Sequence, residues 1–167
     1  MSDKDASGVP IIDFNALAQT NPEVVGWIYA PGTNINYPVV QTNNNSKYLN
    51  TLFDGTANAS GAIFLDSDDT APGMVDQQTT IYGHHMNDNS MFAGLMKYAD
   101  KSFWEKHKTI QFDTLTEKGK YEVVAAFKTE VYTDSPNSFR YYDFVNADTE
   151  DDFDAYIAKC KELALYD

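Results

Sequence analysis

Thr79-Thr80-Ile81-Tyr82-Gly83-His84-His85-Met86-Asn87-Asp88-Asn89-Ser90-Met91-Phe92 is the stretch from which the rest of the chain can be read. A β-branched and aromatic run stops at Gly83, two histidines follow, and a polar loop leads into an apolar segment. Such residues suit a pleated, half-buried surface, so Thr79 to Gly83 predicts a strand with an imidazole at its mouth. An imidazole there suits general acid/base work, because its ordinary pKa lies near ~6.5. Two other readings stand beside that one. The pair fits a plain structural or surface loop. It also fits a zinc site built from His84, His85 and His107, although adjacent side chains of an extended segment diverge.

Working outward, Asp13 to Ala18 predicts a short helix with Asp13 as N-cap. Asn21-Pro22 restarts the chain, and Val24 to Tyr29 leads into a first strand. Pro31-Gly32-Thr33 is a turn. Asn36 to Gln41 is a second strand, with Pro38 suggesting an edge position. Ser46 to Phe53 predicts one or two helical turns, and Ala62 to Asp66 a short buried strand. Met91 to Tyr98 carries apolar residues at helical spacing, and Phe103 to Lys106 adds another turn of helix. Strands follow at Thr109 to Thr114 and Tyr121 to Val131, the latter long enough to be bent or bulged. Asp134 to Asn146 is an aromatic-rich loop. Thr149-Glu150-Asp151-Asp152 resembles a capping box with Asp in the fourth place. It opens a helix whose apolar face is Phe153, Tyr156, Ile157, Cys160 and Leu163.

The 167 residues suffice for one domain with a core. Residues 1–20 form an N-terminal tail, loose over 1–8, and a helix; residues 21–133 carry the strands; residues 134–167 carry a loop and a helix. Eleven Tyr and ten Phe favour a mainly β fold with peripheral helices. The net charge of −13 argues against binding a phosphate backbone or an anionic lipid surface. A single cysteine excludes an intrachain disulfide framework and any Cys-rich metal site. No run of about 18 apolar residues is present, as a membrane-spanning helix requires.

Cys160 invites a Cys–His pairing. Its place on an apolar helical stripe points instead to a packed, inert thiol. The Asp66-Ser67-Asp68-Asp69 cluster lacks the glycine and distal glutamate of a calcium loop and reads as a solvated loop. Phe139, Arg140, Tyr141 and Tyr142 either cap the core or wall a groove for an extended peptide.

Asn21 to Ile28, Pro31 to Gln41, Tyr48-Leu49, Gly61 to Asp66 and Ile81 to Met86 together resemble the class B sortases, in order, from about Ile12 to the end. The resemblance implies a sortase-type β-barrel with added N-terminal helices. It also implies a helix in the connection between the sixth and seventh strands, which Thr149 to Leu165 fits. Sortases are cysteine transpeptidases on the outer face of Gram-positive cell membranes. They cut a sorting signal of the Asn-Pro-x-Thr type, hold the product as a thioacyl enzyme, and pass it to an amine of peptidoglycan or its precursor. No cofactor is implied. His84 matches the family's catalytic histidine, and its implied role is proton delivery to the leaving amine. Asn45, Leu49, Tyr141 and Tyr142 resemble residues of the substrate groove.

The family's nucleophile lies on a strand beyond the connecting helix, in a Thr-Leu-x-Thr-Cys pattern, and its arginine on the strand after that. Neither pattern occurs here, and Arg140 does not match that arginine. The expectation is a barrel incomplete at the C-terminus, with its last two strands absent, its membrane anchor outside these residues, and no activity alone. Self-association, or pairing with the missing C-terminal segment, would cover the open edge. Two other functions remain: a non-catalytic barrel that binds a peptide or glycan, and a metal-dependent hydrolase.

Overall fold

The structure is a computed structural model that describes residues 4–71, 76–129 and 139–166. Six strands form one sheet: β1 (Val24–Tyr29), β2 (Asn36–Val40), β3 (Ile63–Leu65), β4 (Ile81–Tyr82), β5 (Thr109–Thr114) and β6 (Lys118–Glu122). Their spatial order is β4-β3-β2-β1-β5-β6, a curled half-barrel with β4 and β6 at its rims. Neighbours run antiparallel except β2 and β3, which are parallel. A parallel pair needs a crossover, and residues 41–62 supply it. Three α-helices flank the sheet: α1 (Phe14–Thr20), α2 (Lys101–Lys106) and α3 (Glu150–Glu162).

Successive residues of a strand face opposite sides, and that alternation divides the core in two. Val39, Ile63 and Leu65 join Val25, Ile28, Ile35, Met91 and Phe112 on one face. Val40, Ala62 and Phe64 meet Tyr48 on the other, with Phe53 and Tyr82 packed around them. The crossover therefore brings its own lid, Tyr48, for the second face.

Asn21 fastens that lid. Its Nδ2 donates to the Tyr48 hydroxyl at 2.7 Å and to the Phe53 carbonyl at 2.9 Å, and its Oδ1 accepts from the Glu23 amide at 2.9 Å. Glu23 accepts from the Tyr48 hydroxyl and from Lys47 Nζ. The Asn21-Pro22 pair is thus a buried bracket as well as a restart of the chain.

Several predicted elements lie where expected. Asp13 caps α1 by accepting from the Ala16 amide, and β5 covers the predicted residues. Thr149 caps α3 by accepting from the Asp152 amide. Asp152 is too short to reach the cap backbone, and accepts instead from the Thr149 hydroxyl at 2.7 Å.

Other elements differ. Pro38 sits on an interior strand, not an edge; β3 pairs only with Val39 and Val40, so Pro38 lies beyond the end of that ladder. The long strand proposed for 121–131 ends at Glu122. Its partner β5 begins at Thr109, just past α2, so little remains to pair with after Val123 donates to the Lys108 carbonyl. Residues 130 and 131 lie outside the described residues, as do 134–138 of the aromatic loop. The 91–98 segment is a 3-10 helix, Phe92–Ala99, and the 46–53 segment only a short 3-10 turn, Lys47–Leu49. Residues 4–10, read as loose, close a turn in which Asp5 Oδ1 accepts from the Ser7 and Val9 amides; residues 1–3 lie outside the described residues.

Replacing Asn21 by Ala leaves the Phe53 carbonyl and the Glu23 amide unpaired, which costs about 1–3 kcal/mol. Asn43→Ala, at an exposed position, should stay within about 0.5 kcal/mol of wild type. Urea denaturation of the two variants checks this.

Candidate functional site

β4 is two residues long, held by the pairs Phe64↔Tyr82 and Leu65↔Ile81. A ladder that short supplies little rigidity, yet His84 follows two residues after it. The fixation comes from side chains on both flanks.

On the crossover flank stands Asp66, at the end of β3 and 7% exposed. Its Oδ2 accepts from the Tyr82 hydroxyl at 2.5 Å. Its Oδ1 accepts from Asn45 Nδ2 at 3.0 Å and from the Asp68 amide at 2.9 Å. Asp69, 5% exposed, accepts from the Thr80 amide at 2.9 Å, while the Asp66 amide donates to the Thr80 carbonyl. Gln41 Nε2 bridges the carbonyls of Asp66 and Asp69. The acidic run is therefore not a solvated loop. Two of its carboxylates turn inward to satisfy donors along β4 and the crossover.

These two carboxyls titrate oppositely. Burial pushes Asp66 up, but the bonds from Asn45, the Asp68 amide and Tyr82 outweigh it and leave the carboxyl below its ordinary value. Burial pushes Asp69 up to about 6; the Thr80 amide opposes this, and the charges of Asp66, Asp76 and Asp68 add to it. Burial and then the Asp66 carboxylate push the Tyr82 phenol far up, so it stays a donor at any working pH.

On the other flank, residues 76–78 dock against 141–147. Gln78 Nε2 donates to the Tyr141 carbonyl at 3.0 Å, the Gln78 amide to the Val145 carbonyl, and the Ala147 amide to Gln77 Oε1. Tyr156 of α3 also donates to the Tyr141 carbonyl, and its ring stacks on Phe144 at 4.3 Å.

Gly83 lets the chain turn. A Cβ there would lie 2.5 Å from Ile63 and 2.6 Å from Phe92, so only glycine passes. The His84 carbonyl then accepts from the Phe92 amide at 2.8 Å, and His85 bridges Met91, closing the polar loop. Met91 adopts φ +56°, a costly value for a side-chain-bearing residue, with its amide held by the Tyr37 hydroxyl. The His84 side chain is half-exposed and His85 exposed.

The predicted site residues are thus placed as follows. Asn45 and Tyr141 flank β4 from opposite sides. Leu49 is 39% exposed beside the buried Tyr48. Tyr142 shares the short 3-10 turn Tyr141–Asp143, and its side chain lies outside the described residues. Cys160 is half-buried on α3, beside Tyr156, and burial pushes its thiol up. His107 is stacked on Phe103 with Nδ1 against the Phe103 carbonyl. Among the described residues, no three His, Cys, Asp or Glu side chains gather as a metal would require. Sequence reasoning missed Asp66 and Asp69. The available signal was an aspartate closing a fully apolar run, Ala62 to Leu65, where a strand end needs acceptors.

The sortase domain family model matches residues 28–153. The chain belongs to the sortase family, in class B. It is 38% identical to sortase B of Staphylococcus aureus over 138 residues, 80% of this chain and 56% of that protein. It is 33% identical to sortase B of Listeria monocytogenes over 158 residues, 92% of this chain and 59% of that protein. The structure of Staphylococcus aureus sortase B in a substrate complex is matched with a TM-score of 0.81 and 34% identity, covering 92% of this chain and 68% of that one. The chain therefore spans somewhat over half the length of these curated relatives. Sortases are cysteine transpeptidases, and this kinship does not favour the non-catalytic binding module.

Because the folded chain holds the Asp69 proton more tightly than an unfolded chain, ionisation of this group costs stability. Its contribution is whole below its ordinary value of 3.8 and is lost as pH rises through about 6. Asp69→Asn keeps an acceptor for the Thr80 amide and cannot ionise. Its melting temperature should gain on wild type between about pH 4 and about pH 7. A difference that stays constant across that window would show that Asp69 does not titrate there.

Proposed function

We propose that this sortase chain carries the proton-transfer half of a class B transpeptidase, with His84 as its general acid and base. The observation behind this is the half-exposed His84 ring at the end of a strand fixed on both flanks. In the scheme the family implies, a thiolate attacks the threonine carbonyl carbon of an Asn-Pro-x-Thr-type signal. The C–N bond breaks, and His84 gives its proton to the departing amine. An acceptor amine of peptidoglycan or its precursor then attacks the thioester. The C–S bond breaks, and the amine's proton passes back to the imidazole. Asn45, Leu49, Tyr141 and Tyr142 are assigned to the signal-peptide groove.

Cys160 is assigned no part in this. Thiolate chemistry needs a lowered pKa and access, whereas this thiol is half-buried and pushed up. The attacking thiol and the oxyanion-stabilising arginine are assigned to residues outside this chain. The rim strands β4 and β6 are the edges at which further strands, or a second copy, would pair. The assigned location is the outer face of a Gram-positive cell membrane.

The test is cleavage of an internally quenched Asn-Pro-x-Thr peptide by the full-length gene product. His84→Ala should lower kcat/KM by about 10²–10⁴-fold. His85→Ala should leave a readily measurable rate, and Cys160→Ser should stay close to wild type. Equal loss from both histidine variants would overturn the assignment.

A further inference from the structure

We propose that Asp66 is a positioning residue that sets both sides of the site, orienting the Asn45 amide toward the peptide groove and holding the β4 end from which His84 projects. This rests on the sortase reading, which gives Asn45 and His84 their roles. The argument itself stands on the bond pattern around one carboxylate.

Asp66 Oδ1 accepts from Asn45 Nδ2 at 3.0 Å, and Asn45 Oδ1 accepts from the Ser67 amide at 2.8 Å. The amide is thereby held at both ends, and exchanging its oxygen and nitrogen would break both bonds. A side-chain amide carries two N–H donors. Asp66 takes one, and the exposed Asn45 offers the other to a peptide carbonyl. Because the bond runs to an ionised acceptor, it is also stronger than a neutral one.

Asp66 Oδ2 accepts from the Tyr82 hydroxyl at 2.5 Å, across the β3–β4 pair. The Tyr82 ring lies 5.2 Å from Phe64, centroid to centroid, so the hydroxyl bond fixes a ring already seated on the core. Tyr82 is separated from His84 only by Gly83, which packs too tightly to let the segment slide. The carboxylate itself cannot drift, since its backbone is held by Gln41 and by the Thr80 carbonyl. One acid thus couples the position of a groove residue to that of the imidazole. Both of its oxygens are needed. An asparagine in its place keeps the shape but has one acceptor oxygen, and its NH₂ group faces a donor at the other link.

The test uses the full-length gene product, the same quenched Asn-Pro-x-Thr peptide and a thermal melt of each variant. Tyr82→Phe keeps the ring and removes only the strand link; it should lower kcat about tenfold and leave KM within about twofold. Asn45→Ala should raise KM about tenfold with kcat nearly unchanged. Asp66→Asn should do both. The Asp66→Asn/Tyr82→Phe double variant should lose no more kcat than Asp66→Asn alone, because both cut the same link.

A folded Asp66→Asn variant with wild-type kcat and KM would overturn the proposal, as would additive losses in the double variant. Should Asp66→Asn fail to fold, Tyr82→Phe decides alone: wild-type kcat there overturns the strand link. A wild-type protein that cleaves no faster than His84→Ala would sink the sortase reading, and this inference with it.

Discussion

A two-residue strand at the rim of a sheet cannot hold the side chain that follows it by its own ladder. β4 is such a strand, and His84 is such a side chain. The structure answers with buried acceptors. Asp66 takes the Tyr82 hydroxyl and Asp69 the Thr80 amide, so the segment is fastened by carboxylates where main-chain pairing runs out. Desolvating a carboxylate is costly, and it is tolerated only where donors converge on it. Asp66 receives three donors and remains ionised. Asp69 receives one from the backbone, sits among other acids, and is held toward its protonated form.

The same fastening explains why residues distant in sequence belong to one site. Asn45 comes from the crossover, Tyr82 and His84 from the rim, and Tyr141 from the segment before α3. Asp66 ties the first to the second, and Gln78 ties the second to the third. Gly83 and the closed loop from His84 to Phe92 complete the frame. The half-barrel positions these groups, and the acid at the end of β3 sets their mutual orientation.

Much of this was legible in the chain. Periodicity placed β5, the buried β3, the cap of α1 and the half-buried face of α3 that includes Cys160. The strand–glycine–histidine pattern marked the site. What stayed hidden depends on partners far away in sequence. Asp66 and Asp69 read as solvated because an acidic run with Ser67 looks like surface; burial came from Tyr82, Thr80 and Asn45. Pro38 read as an edge because a missing N–H is a local property, whereas strand order is not. The end of β6 was set by where β5 begins, on the other side of a turn.

The most direct test of this account is amide hydrogen exchange at Thr80 and Phe92, the donors that fasten the segment on either side of His84. If the buried acceptors and the closed loop hold it, both amides exchange only through openings nearly as rare as those that expose Val39 and Ile63. Exchange as fast as that of the exposed Asn43 amide would mean that the rim frays, and that no carboxylate holds the imidazole in place.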